Sequence, residues 1–64
     1  MIDEELHDVI KYCNLAKEHP EHSGMINQIA YEEYVHARHL KWLFPNVQYD
    51  ELLWREAETA LNLS

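Results

Sequence analysis

Ile26, Ile29, Leu40 and Leu43 fall on a spacing that alternates three and four, the inward stripe of a helix in a bundle. Continued through the middle of the segment, the same spacing lands on Glu33 and His36. No stretch of useful length alternates with the period of two that a strand requires. Pro20 suits a first helical position, and Pro45 forbids a clean continuation of the helix that ends before it. The chain is thereby constrained to an all-α fold with ionisable groups on an apolar seam.

A second seam lies upstream. Ile2, Val9, Tyr12 and Ala16 share the spacing, and the position it requires between Ile2 and Val9 is Glu5. Three helices are predicted. The first covers about residues 3–18, with Asp3 as N-cap and Glu4 and Glu5 near the positive end of the dipole. The turn HPEHSG leads into a second, about 20–44, starting at Pro20 or a turn later near Ser23, and a third covers about 49–61, with Asn46 or Asp50 near its start. If the first two helices run antiparallel about residues 20 and 21, Glu5 lies level with His36, and Glu33 is one turn away, about 4.5 Å along the axis. A register offset by one position instead turns Ala30, Tyr34, Ala37 and Lys41 inward. The first helix likewise allows Leu6, Ile10 and Cys13 to flank its seam.

Size makes the polar seam consequential. The chain has 64 residues, one domain at most. A chain this short buries only about 60% of the surface its unfolded form exposes. Its core supplies no more than about 3–5 kcal/mol, so small domains lean on disulfides, a metal or self-association. Cys13 is the single cysteine, which excludes an internal disulfide and, with no apolar leader segment, fits a cytoplasmic setting. No apolar run approaches a membrane span. Twelve acidic residues against five basic ones argue against nucleic acid as a partner, because phosphate binding needs clustered Lys and Arg.

Unpaired carboxylates in so small a core cost several kcal/mol, and a multivalent cation offsets that cost directly. Glu33 and His36, three residues apart, lie on one helix face and can reach a single ion. Di-iron bundles use one Glu from each of two helices and a Glu-x-x-His pair from each of the other two. This hairpin carries half of that set, so two chains about a two-fold axis complete a four-helix bundle with the site on or near the axis. The donors suit iron and manganese alike, and zinc as well.

Glu5 followed by Tyr12, then EEYVHA at 32–37, resembles the ferritin-like superfamily of di-iron carboxylate proteins. The likeness covers about residues 3–44 and is nearest to the half-length encapsulated ferritins and to single rubrerythrin-type repeats. It implies a ferroxidase with Glu5, Glu33 and His36 as ligands and Tyr12 beside the site as a sheltering or electron-donating residue. It also implies a homodimer, higher ring assembly, and residence inside a protein nanocompartment for some members. The chain departs from the pattern in three ways. Glu5 sits in the first turn of its helix, the closing LNLS is a poor compartment-targeting tail, and one cysteine cannot build the cysteine-rich iron centre of a rubrerythrin. Glu4, Glu32, His7, His19, His22 and His39 read as surface groups. Tyr34, Trp42 and Trp54 read as core or interface aromatics.

Overall fold

The computed structural model describes residues 1–63, and among them all regular structure is helical. Helix α1 spans Ile2–Glu18, a 3₁₀ turn spans Pro20–His22, α2 spans Ser23–Leu43 and α3 spans Glu51–Ala60. The second helix therefore takes the later of its two expected starts, Ser23, after the proline turn. The turn separates α1 from α2 sharply enough for the two to fold back as a hairpin. Helix α3 then packs mainly along α1.

The caps explain the helix starts. Met1, not Asp3, caps α1, and its ammonium group contacts Glu4 Oε1 at 3.2 Å. Asp3 bonds across the fold instead, where its Oδ1 accepts the backbone N–H of Asp50 at 3.0 Å. Asp50 itself caps α3, accepting from the N–H groups of Leu52 and Leu53 at 3.0 and 3.1 Å. The two aspartates thus tie the start of α3 to the start of α1, each satisfying donors that a helix terminus leaves open.

The core lies between the three helices. Helix α1 contributes Ile2, Leu6, Val9, Cys13 and Ala16; α2 contributes Ala30, Tyr34 and Ala37; α3 contributes Leu53 and Ala57. Alanines at 30, 37 and 57 leave little side-chain bulk between neighbouring helices, which shortens the interaxial distance. Tyr34 takes the remaining volume and donates its hydroxyl to Glu58 Oε2 at 2.7 Å. Burial, then that hydrogen bond, pushes its phenol above the ordinary range. Burial likewise pushes the Cys13 thiol up, leaving it an unreactive core residue.

This packing corrects the inward stripe expected for the second helix. Within one chain, α2 buries Ala30, Tyr34 and Ala37, the register offset by one, while Ile29 is 37% and Leu43 71% exposed. The reason is α3. By covering one side of the hairpin it selects which face of α2 becomes interior, and it selects the side carrying small residues. Lys41, which falls on that side, stays exposed, with its Nζ over the rings of Tyr49 and Trp54. On α1 the seam is split: Ile2, Val9 and Ala16 are buried, while Glu5 and Tyr12 are half-buried. Of the seam of Ile26, Ile29, Glu33, His36, Leu40 and Leu43, Leu40 packs against this core, while Ile29, His36 and Leu43 are exposed.

Candidate metal centre

Glu5, near the start of α1, faces Glu33 and His36 near the middle of α2. One ligand-capable atom from each lies within 4.8 Å of the other two. His36 Nδ1 is 3.8 Å from Glu5 Oε2 and 3.8 Å from Glu33 Oε1. Those separations are too long for hydrogen bonds and short enough for ion-pair attraction. The side chains of Glu5 and Glu33 are only 27% and 22% exposed, whereas His36 is 57% exposed at the rim. The hairpin turn fixes this juxtaposition, since it sets the height at which α1 passes α2.

Two features mark the cluster as short of positive charge and hydrogen-bond donors. Glu5 Oε2 is fully buried without a hydrogen-bond partner, and it is the one such side-chain atom among the described residues. The carboxyl of Glu33 is pushed above the ordinary carboxylate range, first by a hydrogen bond to Glu5, then by burial and by the charge of Glu5. His36 opposes the shift and Asp8 adds to it. The two facts describe one situation. When both carboxyls are ionised Glu5 lacks a donor, and a proton on Glu33 supplies one. A divalent cation answers the same need with more charge.

The donor set fits such an ion. Neighbouring donors on an ion with bonds of about 2.1 Å stand about 3.4 Å apart, so a cluster whose atoms lie within 4.8 Å of one another closes with side-chain motion of about one to two ångströms, a rotamer adjustment. Two carboxylates and one imidazole form a mixed O/N set suited to iron, manganese or zinc. Three donors do not fill an octahedral ion, so positions remain for further ligands.

Tyr12 is not part of the cluster. It stands seven residues beyond Glu5 on the same helix, about 10.5 Å along the axis, half-buried with Lys11 Nζ 5.4 Å from its ring centroid. His7, His19, His22, His39, Glu4 and Glu32 are all exposed. Asp8 was not anticipated from the sequence. It lies one turn after Glu5 and is half-buried, and its charge reaches Glu33. Its spacing of three from Glu5 was the available signal.

The raised pKa of Glu33 has a measurable consequence. A group that binds its proton more tightly when folded stabilises the fold below the unfolded value, and that contribution is lost as pH rises. The window opens at the ordinary value of 4.5 and closes above Glu33's raised one. Urea denaturation of the metal-free protein across this window is expected to show a loss of stability with rising pH that Glu33→Gln abolishes. An identical pH profile in the two proteins would contradict the carboxyl pairing.

Comparison with models of known families, with characterised proteins and with solved structures gives no match. Function therefore has to be argued from the site and from the surface around it.

Proposed function

We propose that the chain is half of a two-fold-symmetric, ferritin-like four-helix bundle that binds Fe(II) at a shared di-iron site and oxidises it to Fe(III). The observation that carries this reading is the buried, partnerless Glu5 Oε2 held against Glu33 and His36. The supporting observation is the surface beside it. Ile29 and Leu43 are exposed and Ile26 and Leu40 half-buried, all on the α2 stripe that holds Glu33 and His36. A copy related by a two-fold axis presents the same stripe, so the two apolar seams cover one another and bring two sets of ligands together.

Iron is the substrate in this reading, and the roles follow from charge. Two chains bring four carboxylates, which balance two Fe(II) ions and favour the higher charge of two Fe(III) ions still more. Glu5 and Glu33 chelate or bridge the pair, and each His36 terminates one ion. Only the ionised form of Glu33 holds a cation, so uptake weakens toward acid pH. Each iron gives up one electron. A pair supplies the two that reduce dioxygen to peroxide, or peroxide to water, which is the chemical reason for holding two irons together. The oxidised iron then serves storage or detoxification, in the cytoplasm or inside an enclosing protein shell.

The metal-free protein should be titrated anaerobically with Fe(II), its mass followed by light scattering, and air then admitted while ferric absorbance is recorded. The expected result is about one iron per chain, dimerisation on loading, and rapid oxidation. Binding and dimerisation without oxidation would make the site a structural metal clamp, for which zinc or manganese is the natural occupant. No binding at micromolar iron would leave a metal-free helical dimerisation module.

A further inference from the structure

A chain of four aromatic rings runs through the opposite, packed side of the bundle. Tyr31, Tyr34, Trp54 and Tyr49 follow one another with ring centroids 6.2, 5.7 and 5.3 Å apart. The ends reach the surface: Tyr31 is exposed and Tyr49 half-buried, whereas Tyr34 is only 6% exposed. Tyr34 donates its hydroxyl to Glu58 Oε2 at 2.7 Å, within the short range of a charge-assisted bond. Trp54 and Glu58 are four residues apart on α3, so one helix face delivers both a ring and a proton acceptor to the same phenol.

Stacked aromatics alone are ordinary core features. The added element is the fixed acceptor on a phenol shielded from solvent. A phenol that loses an electron becomes strongly acidic, so its oxidation is hindered unless the proton leaves with the electron. Glu58 provides that route. Elsewhere along the chain, positive charge is opposed. Lys41 Nζ sits 5.1 Å from the Trp54 ring centroid and 5.2 Å from that of Tyr49. Arg38 lies farther from Tyr34, at 6.0 Å, and a phenol that loses electron and proton together gains no net charge there.

We propose that Trp54 and Tyr34 form a one-electron relay, with Tyr34 as its terminus and Glu58 as the proton acceptor. A one-electron oxidant removes an electron from the Trp54 indole. The indole radical then takes an electron from Tyr34, whose O–H bond breaks and whose proton passes to Glu58 Oε2. The products are neutral indole, which recovers from water any N–H proton it had shed, a Tyr34 phenoxyl radical and a protonated Glu58. The relay is a property of the metal-free chain and stands or falls separately from the iron site.

The test uses metal-free protein carrying Trp42→Phe, which leaves Trp54 as the sole indole of the chain's two. Azide radical generated by pulse radiolysis oxidises the indole and is itself reduced to azide. Decay of the indole radical band should match growth of the phenoxyl band, at a rate independent of protein concentration. Adding Tyr34→Phe or Glu58→Gln should slow that decay by about tenfold or more, a barrier increase of about 1.4 kcal/mol. Tyr49→Phe should leave it unchanged. Equal rates with and without the Tyr34 hydroxyl, or loss of the phenoxyl signal with Tyr49→Phe, would overturn the assignment. An unchanged rate in Glu58→Gln, whose part-buried side chain can be replaced without opening a core cavity, would overturn the role of the carboxylate.

Discussion

Glu33→Ala is expected to take bound Fe(II) from about one per chain to none at micromolar iron, while the far-ultraviolet circular dichroism of the metal-free protein stays helical. Loss of binding follows from charge and position together. Glu33 approaches both other members of the cluster, and removing it leaves one carboxylate and a rim histidine per chain. Helicity survives because alanine is the best helix former and the position contributes no apolar packing to the core. The substitution also removes the partner that Glu5 repels, so the metal-free variant should melt no lower than the parent at neutral pH. Two controls locate the effect. Glu32→Ala, one residue away and exposed, should leave iron uptake unchanged. His36→Ala should weaken uptake without abolishing it, because it removes a neutral donor rather than a charge. Isothermal titration under nitrogen measures all three variants. Unchanged uptake in Glu33→Ala would remove the metal reading altogether.

Sequence and structure agree on what depends on spacing and differ on what depends on a third element. The spacing of Glu5, Glu33 and His36 along two helices, with a proline turn between them, was enough to bring those residues to one height, and they lie together. The interior of the single chain was not legible in the same way. A stripe of Ile and Leu at 26, 29, 40 and 43 is a strong apolar signal, yet Ala30, Tyr34 and Ala37 fill the core of the monomer. Both faces of α2 are apolar enough to be buried, and periodicity cannot rank them. The choice was made by α3, whose docking rests on the Asp3–Asp50 contact and the Tyr34–Glu58 hydrogen bond. Each links residues far apart in the chain, which no local pattern reveals. The same interactions explain why Asp3 failed as the expected cap of α1. Asp8 escaped notice because its influence runs through Glu33's proton rather than through a seam position.

Leu6→Ala is expected to unfold the metal-free protein and to leave a chain that iron refolds. Leu6 is 0% exposed and lies next to Glu5 on the turn that holds α1 against both other helices. Truncating a buried leucine costs about 2–5 kcal/mol, against a core that supplies no more than about 3–5 kcal/mol. Most of the stability of the single chain is therefore removed by one substitution, and the helical dichroism of the metal-free variant should largely vanish at room temperature. Leu52→Ala, a leucine 65% exposed, should change it little. Metal then restores what the cavity removes. A ligand at one hundred times its dissociation constant stabilises the binding state by about 2.7 kcal/mol, which matches the lower half of the cavity cost. Anaerobic Fe(II) should accordingly return the helical signal of Leu6→Ala, with a midpoint that falls as protein concentration rises, since two chains share the ions. The double variant Leu6→Ala, Glu33→Ala should stay unfolded at every iron concentration. If iron refolded the double variant as well, the stabilisation would come from metal held elsewhere, and Glu5, Glu33 and His36 would not be its ligands. If Leu6→Ala melted like the parent without metal, the core of the single chain would not set its stability, and the coupling between ion binding and folding would have no basis.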